Sequence, residues 1–537
     1  MPSVRVSSFF RHLNFVIRAC AVRRPPSAVR PIGFLALFLP CLLALPAAAQ
    51  VQVNRKHSET VLSPYSPEAK DLALITPEVM SPDGRHLAYV KGLGKSTPVR
   101  IARPGKRPLE KKAYEQYQVV VDGKEQKVYN KVDGLIYSPD SQWLAYAAST
   151  GEDQWLVVVN AREEAQYKRV GMPVFSPDSK RLAYVALGAD NSRFVVVNGK
   201  PGRPYDKILP GGQIFFSPDG QHMAYGARRK ENDVAQWYAV IDDKESPPLL
   251  FLGTATGIQF SPDGTRVAYA AMAEANGTAW NVIVDGQKQK IYQNIGDLAF
   301  SPDGKRLAYV AQQKDGKWRL SVDGSEQKPY DAIAAGTLRF SPDGKYVAYA
   351  ARLGEKWLIV VNNHEGKAYD GASDMVFSPN SKYLASIVQL GTTEMVVLNL
   401  LEKNMFQEQA IFDRIGGGTL VFSPDSNRLG YIGRAGSKSF VVIASAAVAK
   451  RGSSRQNRKR GYDMVGYLNF TPDSDHYVFA ATSGDKAFTV VDDQEAAHRY
   501  QSIWNIQGTR LLFDSRKKFH YLAAKEGSVY LVEEELD

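Results

Sequence analysis

"SPDGKRLAYVA", residues 301–311, is a phrase that this chain repeats. Close copies open at Ser81, Ser138, Ser176, Ser217, Ser261, Ser341, Ser378 and Ser423, and a tenth opens at Thr471. After a first gap of 57 residues, successive copies are separated by 37 to 48. Self-similarity at such a period marks a repeat architecture, in which one small unit cannot bury its apolar face alone and neighbours do it together.

One unit, residues 318–351, reads "WRLSVDGSEQKPYDAIAAGTLRFSPDGKYVAYAA". It contains four short stretches suited to strands. "WRLSV" ends in Asp323-Gly324, a pair that fits a two-residue type I′ hairpin, where both central residues need positive φ. The same slot holds Asp122-Gly123, Asn198-Gly199, Asp242-Asp243, Asp285-Gly286, Asn362-Asn363 and Asp492-Asp493, residues that tolerate the left-handed region. Farther on, Pro342 presets φ at the second position of a turn, Asp343 suits the third, and Gly344 accepts a left-handed bulge. The repeated phrase is therefore a hairpin corner.

In "KRLAYVA", Leu307 and Tyr309 face one way while Ala308 and Val310 face the other. A strand apolar on both faces lies between two layers, and its small side chains let the next sheet come close. Trp155, Trp237, Trp280, Trp318 and Trp357 each stand five residues before the turn Asp or Asn, which reads as packing. Four antiparallel strands in roughly 40 residues make the blade of a β-propeller. The expected fold is all-β, with about eleven four-stranded blades. Because single rings ordinarily hold about 4–8 blades, two propellers of five or six blades are expected, residues 72–290 and 291–534, with one large ring as the alternative. A leading half-unit (Thr76 to Lys91) and a trailing strand (Ser528 to Glu533) are expected to close a blade between the two ends of the repeat.

Residues 1–49 are different material. They carry six arginines and no acid, then the apolar run "IGFLALFLPCLLALPAAA" ending before Gln50. A basic start, an apolar centre and an Ala-x-Ala end make a signal peptide, followed by a linker over 50–71. The alternative is an N-terminal membrane anchor; a cleaved chain would have no membrane span. Removal of the six arginines lowers the net charge from +11 to +5 and takes both cysteines, Cys20 and Cys41, with them. Nucleic-acid binding then loses its electrostatic support, and disulfides, thiol nucleophiles and thiolate metal sites are excluded from the remainder.

The repeat "FSPDGKRLAYVA", over residues 76–524, resembles the WD40-like (PD40) repeat of TolB-type propellers, which also occurs in the propeller domains of prolyl-oligopeptidase-type peptidases. The TolB resemblance implies a periplasmic protein that binds envelope proteins through one face of the propeller. This chain departs from that pattern in having no α/β domain ahead of the blades. The peptidase resemblance would require a Gly-x-Ser-x-Gly elbow, and the sequence has none.

No catalytic residue, metal ligand or cofactor site is expected. His57, His86, His222, His364, His476, His498 and His520 stand without paired ligand spacing. The repeated aspartates, such as Asp83, Asp303 and Asp473, read as turn residues. Candidate binding residues are the mid-unit pairs Tyr205-Asp206, Tyr330-Asp331 and Tyr369-Asp370, since Tyr is favoured at interfaces. The basic stretch 450–460, "KRGSSRQNRKR", adds Lys450, Arg451, Arg458, Lys459 and Arg460, suited to weak contact with an anionic surface. The function expected is a non-enzymatic scaffold, periplasmic or secreted, for protein or peptide partners. A propeller-type carbohydrate lyase or hydrolase, or an accessory subunit of a separate hydrolase, is the alternative. Expressed in a secreting host, the mature chain is expected to begin at Gln50 by intact-mass measurement; recovery of the uncleaved chain with membranes would establish the anchor instead.

Overall fold

A computed structural model describes residues 53–63, 79–103, 106–209, 213–231, 234–253, 257–274, 277–403, 405–446, 460–503 and 510–537. The signal segment and most of the basic stretch lie outside them.

The second and third strands of each unit pair as a tight hairpin, and the Ser-Pro-Asp corner joins the first strand to the second. Eleven antiparallel sheets result. In chain order, blade 1 is Val79–Met80, Leu87–Arg103, Lys106–Val121 and Lys124–Tyr129. Blade 2 is Lys131–Tyr137, Leu144–Gly151, Gln154–Val159 and Arg162–Glu163, and the pattern continues to blade 10, which ends at Gln494–Glu495. In blades 3, 4, 7 and 9 the first strand is split into two pieces. First strands of neighbouring blades touch, as Ile214–Phe216 touches Ile258–Phe260 and that strand touches Asn294–Phe300, so they line the hub and the fourth strands form the rim.

The alternation in "LAYVA" sets how blades stack. Leu87 and Tyr89 of blade 1 pack with Leu522 and Val529 of blade 11, whereas Ala88 and Val90 pack with Leu144, Tyr146 and Ala148 of blade 2. Each blade thus presses a Leu–Tyr face against the Ala–Val face of the one before it. The tyrosines fill the depth that the alanines leave open, and Tyr89, Tyr146, Tyr184, Tyr225 and Tyr349 are all completely or almost completely buried.

One ring holds all eleven blades, which corrects the expected division into two propellers. Across the expected cut near residue 290, Val282, Val284 and Tyr292 of blade 5 share a core with Ile295, Leu307 and Tyr309 of blade 6. The other junctions are of the same kind. The usual blade number does not bind here because more blades mean a smaller rotation between neighbours. Broad, nearly parallel faces of alternating large and small side chains suit that arrangement.

Closure does not use the leading half-unit. The strand Arg55–Ser63, inside the segment expected to be a linker, pairs antiparallel with Ser528–Leu536, from Arg55 against Leu536 to Ser63 against Val529. It is the rim strand of blade 11, whose other strands are Leu512–Phe513, Lys518–Lys525 and Ser528–Leu536. Its alternating exposure, with odd-numbered side chains turned inward from Arg55 to Glu59, reflects one face laid on the neighbouring blade.

Charged and polar groups lock this seam to blade 10. The Arg55 guanidinium lies 3.4 Å from Glu534 Oε2, and its other nitrogen donates to the Gln494 carbonyl. Glu534 is only 2% exposed and accepts from Thr489 Oγ1 at 2.6 Å and Tyr521 OH at 2.8 Å. The Val53 N–H donates to Gln494 Oε1 at 3.0 Å. Glu534→Ala leaves Arg55 without its carboxylate in a buried setting and is expected to cost about 3–5 kcal/mol in urea unfolding. A loss below about 1 kcal/mol would show that the seam does not depend on this pair.

Candidate functional site

Blade 6 shows what the repeated corner does. The Ser301 N–H donates to the Arg306 carbonyl and the Gly304 N–H to the Ser301 carbonyl, both at 2.9 Å. Ser301 Oγ, fully buried, accepts from the Arg306 N–H at 2.9 Å and donates to Asp303 Oδ1. Asp303 Oδ1 also accepts from the Lys305 N–H at 3.2 Å. That hydroxyl and then that N–H hold the Asp303 carboxyl below the ordinary aspartate range, and Asp140 and Asp178 are lowered in the same way, first by Ser138 and Ser176. Asn380 fills the slot in blade 8, accepting from Ser378 Oγ at 2.8 Å.

The type I′ turns form where the sequence placed them, with Asp323 at φ 51° and Gly324 at φ 80°. Their Asp or Asn also braces the neighbouring strand. Asp323 Oδ1 accepts the Leu307 N–H at 2.9 Å, tying the turn to the second strand. Both kinds of turn occupy one face of the ring.

On that face the residue five places after the corner serine reaches for the next blade. Arg306 bonds Asp323 Oδ2 through Nε at 3.0 Å, donates through Nη1 to the Gly344 carbonyl of blade 7 at 3.0 Å, and lies 5.6 Å from the Phe340 ring centre. Arg181, Arg266 and Arg428 repeat this over Phe216, Phe300 and Phe470. His86 and His222 instead stack on Tyr137 and Phe260 while bonding Asp122 and Asp242. His476, in the same slot, bonds Asp492 Oδ2. A corner serine in the fourth position adds another stitch, as when Ser179 Oγ accepts the Asp140 N–H at 2.9 Å.

Blade 2 departs from this pattern. Its residue in the slot is Trp143, which is 46% exposed and the most open residue among the ten occupants. The gap that an arginine would span stays open as a cleft of about 1040 Å³ between blades 2 and 3. Trp143, Val159, Phe175 and Leu182 supply its apolar lining, Arg162 and Lys180 supply cations, and Asp140, Glu163, Glu164 and Asp178 supply carboxylates. Among the described residues no carboxylate is paired with Arg162. Lys180 is 78% exposed, with its Nζ 3.9 Å from Asp178. Glu163 at the margin is occupied by Lys127 and Tyr129, which keep it ionised below the usual range. The cleft therefore offers an aromatic plate in a lining that carries both signs of charge. Reading the slots across the repeats would have singled out Trp143, since the other occupants are Arg, His or Tyr.

The candidates named from sequence lie elsewhere. Tyr205 is buried, donates to Glu245 Oε1 of blade 4 at 2.9 Å, and meets Tyr225 edge-on. Tyr330 does the same with Glu365 and Tyr349 of blade 7, and Tyr369 is buried near Glu408 of blade 8. Burial, then the neighbouring carboxylate, pushes the Tyr369 hydroxyl up to about 12. Asp331 accepts from Lys317 Nζ and the Gly354 N–H, and Asp370 from Lys356 Nζ and the Gly391 N–H, each capping a hairpin of the following blade. Asp206 is exposed, its carbonyl accepting from Arg193 Nη1 at 2.9 Å. These pairs sit at separate junctions and are not brought together. Arg460 pairs with Glu495 at 2.8 Å and lies over Tyr462. Lys450, Arg451, Arg458 and Lys459 fall outside the described residues. No helix among the described residues is long and apolar enough to cross a membrane.

Trp143→Arg is expected to supply the missing stitch and raise stability by about 0.5–1 kcal/mol, while Trp143→Ala stays within about 0.5 kcal/mol of the parent. Thermal unfolding followed by circular dichroism measures both. A loss of about 2 kcal/mol or more in the alanine variant would make Trp143 a packing residue.

No protein-family profile matches the chain, and no curated protein sequence does. Among solved structures, the crystal structure of a eukaryotic initiation factor matches at 15% identity and a TM-score of 0.38, over 68% of this chain and 98% of that one. The Dos1 propeller matches at 13% identity and a TM-score of 0.30, over 59% of this chain and 90% of that one.

Proposed function

We propose that this chain is an exported, non-enzymatic binding ring whose cleft between blades 2 and 3 holds an extended segment of a protein partner in the cell envelope. The carrying observation is the exposed Trp143 in a slot that elsewhere stitches blades together. A large exposed aromatic in a concave site is a binding anchor, because covering it removes apolar surface from water and orders few rotors. Arg162 and Lys180 stand there among the carboxylates of Asp140, Glu163, Glu164 and Asp178, so the lining carries both signs of charge and suits polar groups flanking the anchor. The preferred segment thus places an apolar or aromatic side chain among polar residues.

The ring supports this role mechanically. Its junctions are packed and hydrogen-bonded along their depth, so the cleft is held open and little ordering is needed on binding. The resemblance of the corner repeat to TolB-type propellers, together with the basic and apolar segment at residues 1–49, supports the envelope setting and the export route.

A displayed random peptide library selected on the immobilised chain tests the reading. Enrichment of sequences with an apolar or aromatic residue flanked by polar ones is expected, with binding at least about tenfold weaker on Trp143→Arg and on Trp143→Ala. Selected peptides that bind all three proteins equally would place the binding surface elsewhere. Selection of none would overturn peptide recognition by this ring.

A further inference from the structure

The seam that closes the ring brings together groups far apart in sequence. His57 and Glu59 are two residues apart on the rim strand Arg55–Ser63 and so project from the same face. His498 comes from the connection that leaves blade 10, four residues after the last two-residue strand's Gln494. The two imidazoles stack with centroids 3.5 Å apart and planes at 11°. His57 Nε2 lies 3.2 Å from Glu59 Oε1, and one donor atom from each of His57, Glu59 and His498 lies within 4.8 Å of the other two. Tyr500 OH donates to Glu59 Oε1 at 2.9 Å and is 3.3 Å from His57 Nε2.

We propose that His57, Glu59 and His498 form a site for a zinc-class divalent cation that clamps the ring shut at its seam. Two imidazoles and one carboxylate are a donor set for borderline transition metals, whereas calcium and magnesium require oxygen ligands. The remaining position of a tetrahedral ion is left to water. Donors about such an ion stand roughly 3.3 Å apart, and stacked rings aim their in-plane lone pairs side by side, so one ring must turn out of the stack as the group contracts. The movable member is His498, which is exposed, while His57 is fixed on a paired strand. His57 Nδ1 is buried with no hydrogen-bond partner, so that ring is under-satisfied as it stands. Lys525 opposes the ion: its Nζ lies 3.4 Å from Glu59 Oε2, on the other oxygen of the carboxylate. A metal bound here would join the strand that closes the ring to the blade it closes against, without touching the cleft of blades 2 and 3.

Isothermal titration of zinc chloride into the untagged, chelator-treated full chain tests this. One ion per chain is expected, with Kd at or below about 10 µM, a higher melting temperature, and slower hydrogen exchange over residues 55–63. His498→Ala, at an exposed position, should weaken binding at least about 30-fold and Glu59→Gln about tenfold, with the metal-free melting temperature of His498→Ala unchanged. Lys525→Gln should tighten binding severalfold, a change that a purely structural lysine would not give. Zinc binding that is absent from the parent chain at about 100 µM metal, or unaltered in His498→Ala, overturns the proposal.

Discussion

No covalent bond closes this ring. Its circularity depends on one strand, Arg55–Ser63, lying against Ser528–Leu536 with residues 64–527 between them. The pairing supplies the rim edge of blade 11, and the buried Arg55–Glu534 contact, with Thr489 and Tyr521 on the same carboxylate, ties that edge to blade 10. In blades such as 1 and 2 the third and fourth strands follow one another directly in the chain. In blade 11 the rim strand instead comes from the other end of the repeat, and polar locking stands in for the missing connection.

Around much of the ring one junction design recurs. A tyrosine at the end of one blade's rim strand packs edge-on against the second-strand tyrosine of the next, and its hydroxyl meets a rim glutamate there, as with Tyr129, Tyr146 and Glu163. On the turn face an arginine or histidine reaches across to the neighbouring corner. Such redundancy makes the ring stiff, and it also defines how a ligand site arises. Where one stitch is left out, as at Trp143, the neighbouring walls remain in register and a cleft stays open between them.

Much of the fold was legible because turns have strict local requirements. Positive φ at Asp323 and Gly324, and the Ser-Pro-Asp corner, are demands of a few neighbouring atoms and leave a signature in every unit. The small face of "LAYVA" was equally readable, since close sheet packing needs side chains without bulk. Blade count per ring was not, because it depends on rotation between sheets, a sum of small packing preferences that no short motif records. The Tyr-Asp pairs showed their recurrence but not their direction, so burial against the next blade's glutamate was invisible. His57 and His498 read as isolated for a simpler reason: only ring closure makes them neighbours.

The position of the closing strand has a consequence for how the molecule is made. Arg55–Ser63 emerges from synthesis before any blade, yet its partner edge belongs to the final sheet, so the longest-range pairing in the chain must come last. Until then blade 11 presents an unpaired flank that any extended chain of the right pattern satisfies. In crowded refolding, the same strand from a neighbouring molecule fits it equally well, and exchange of that one ribbon is the natural route by which two such rings become entangled.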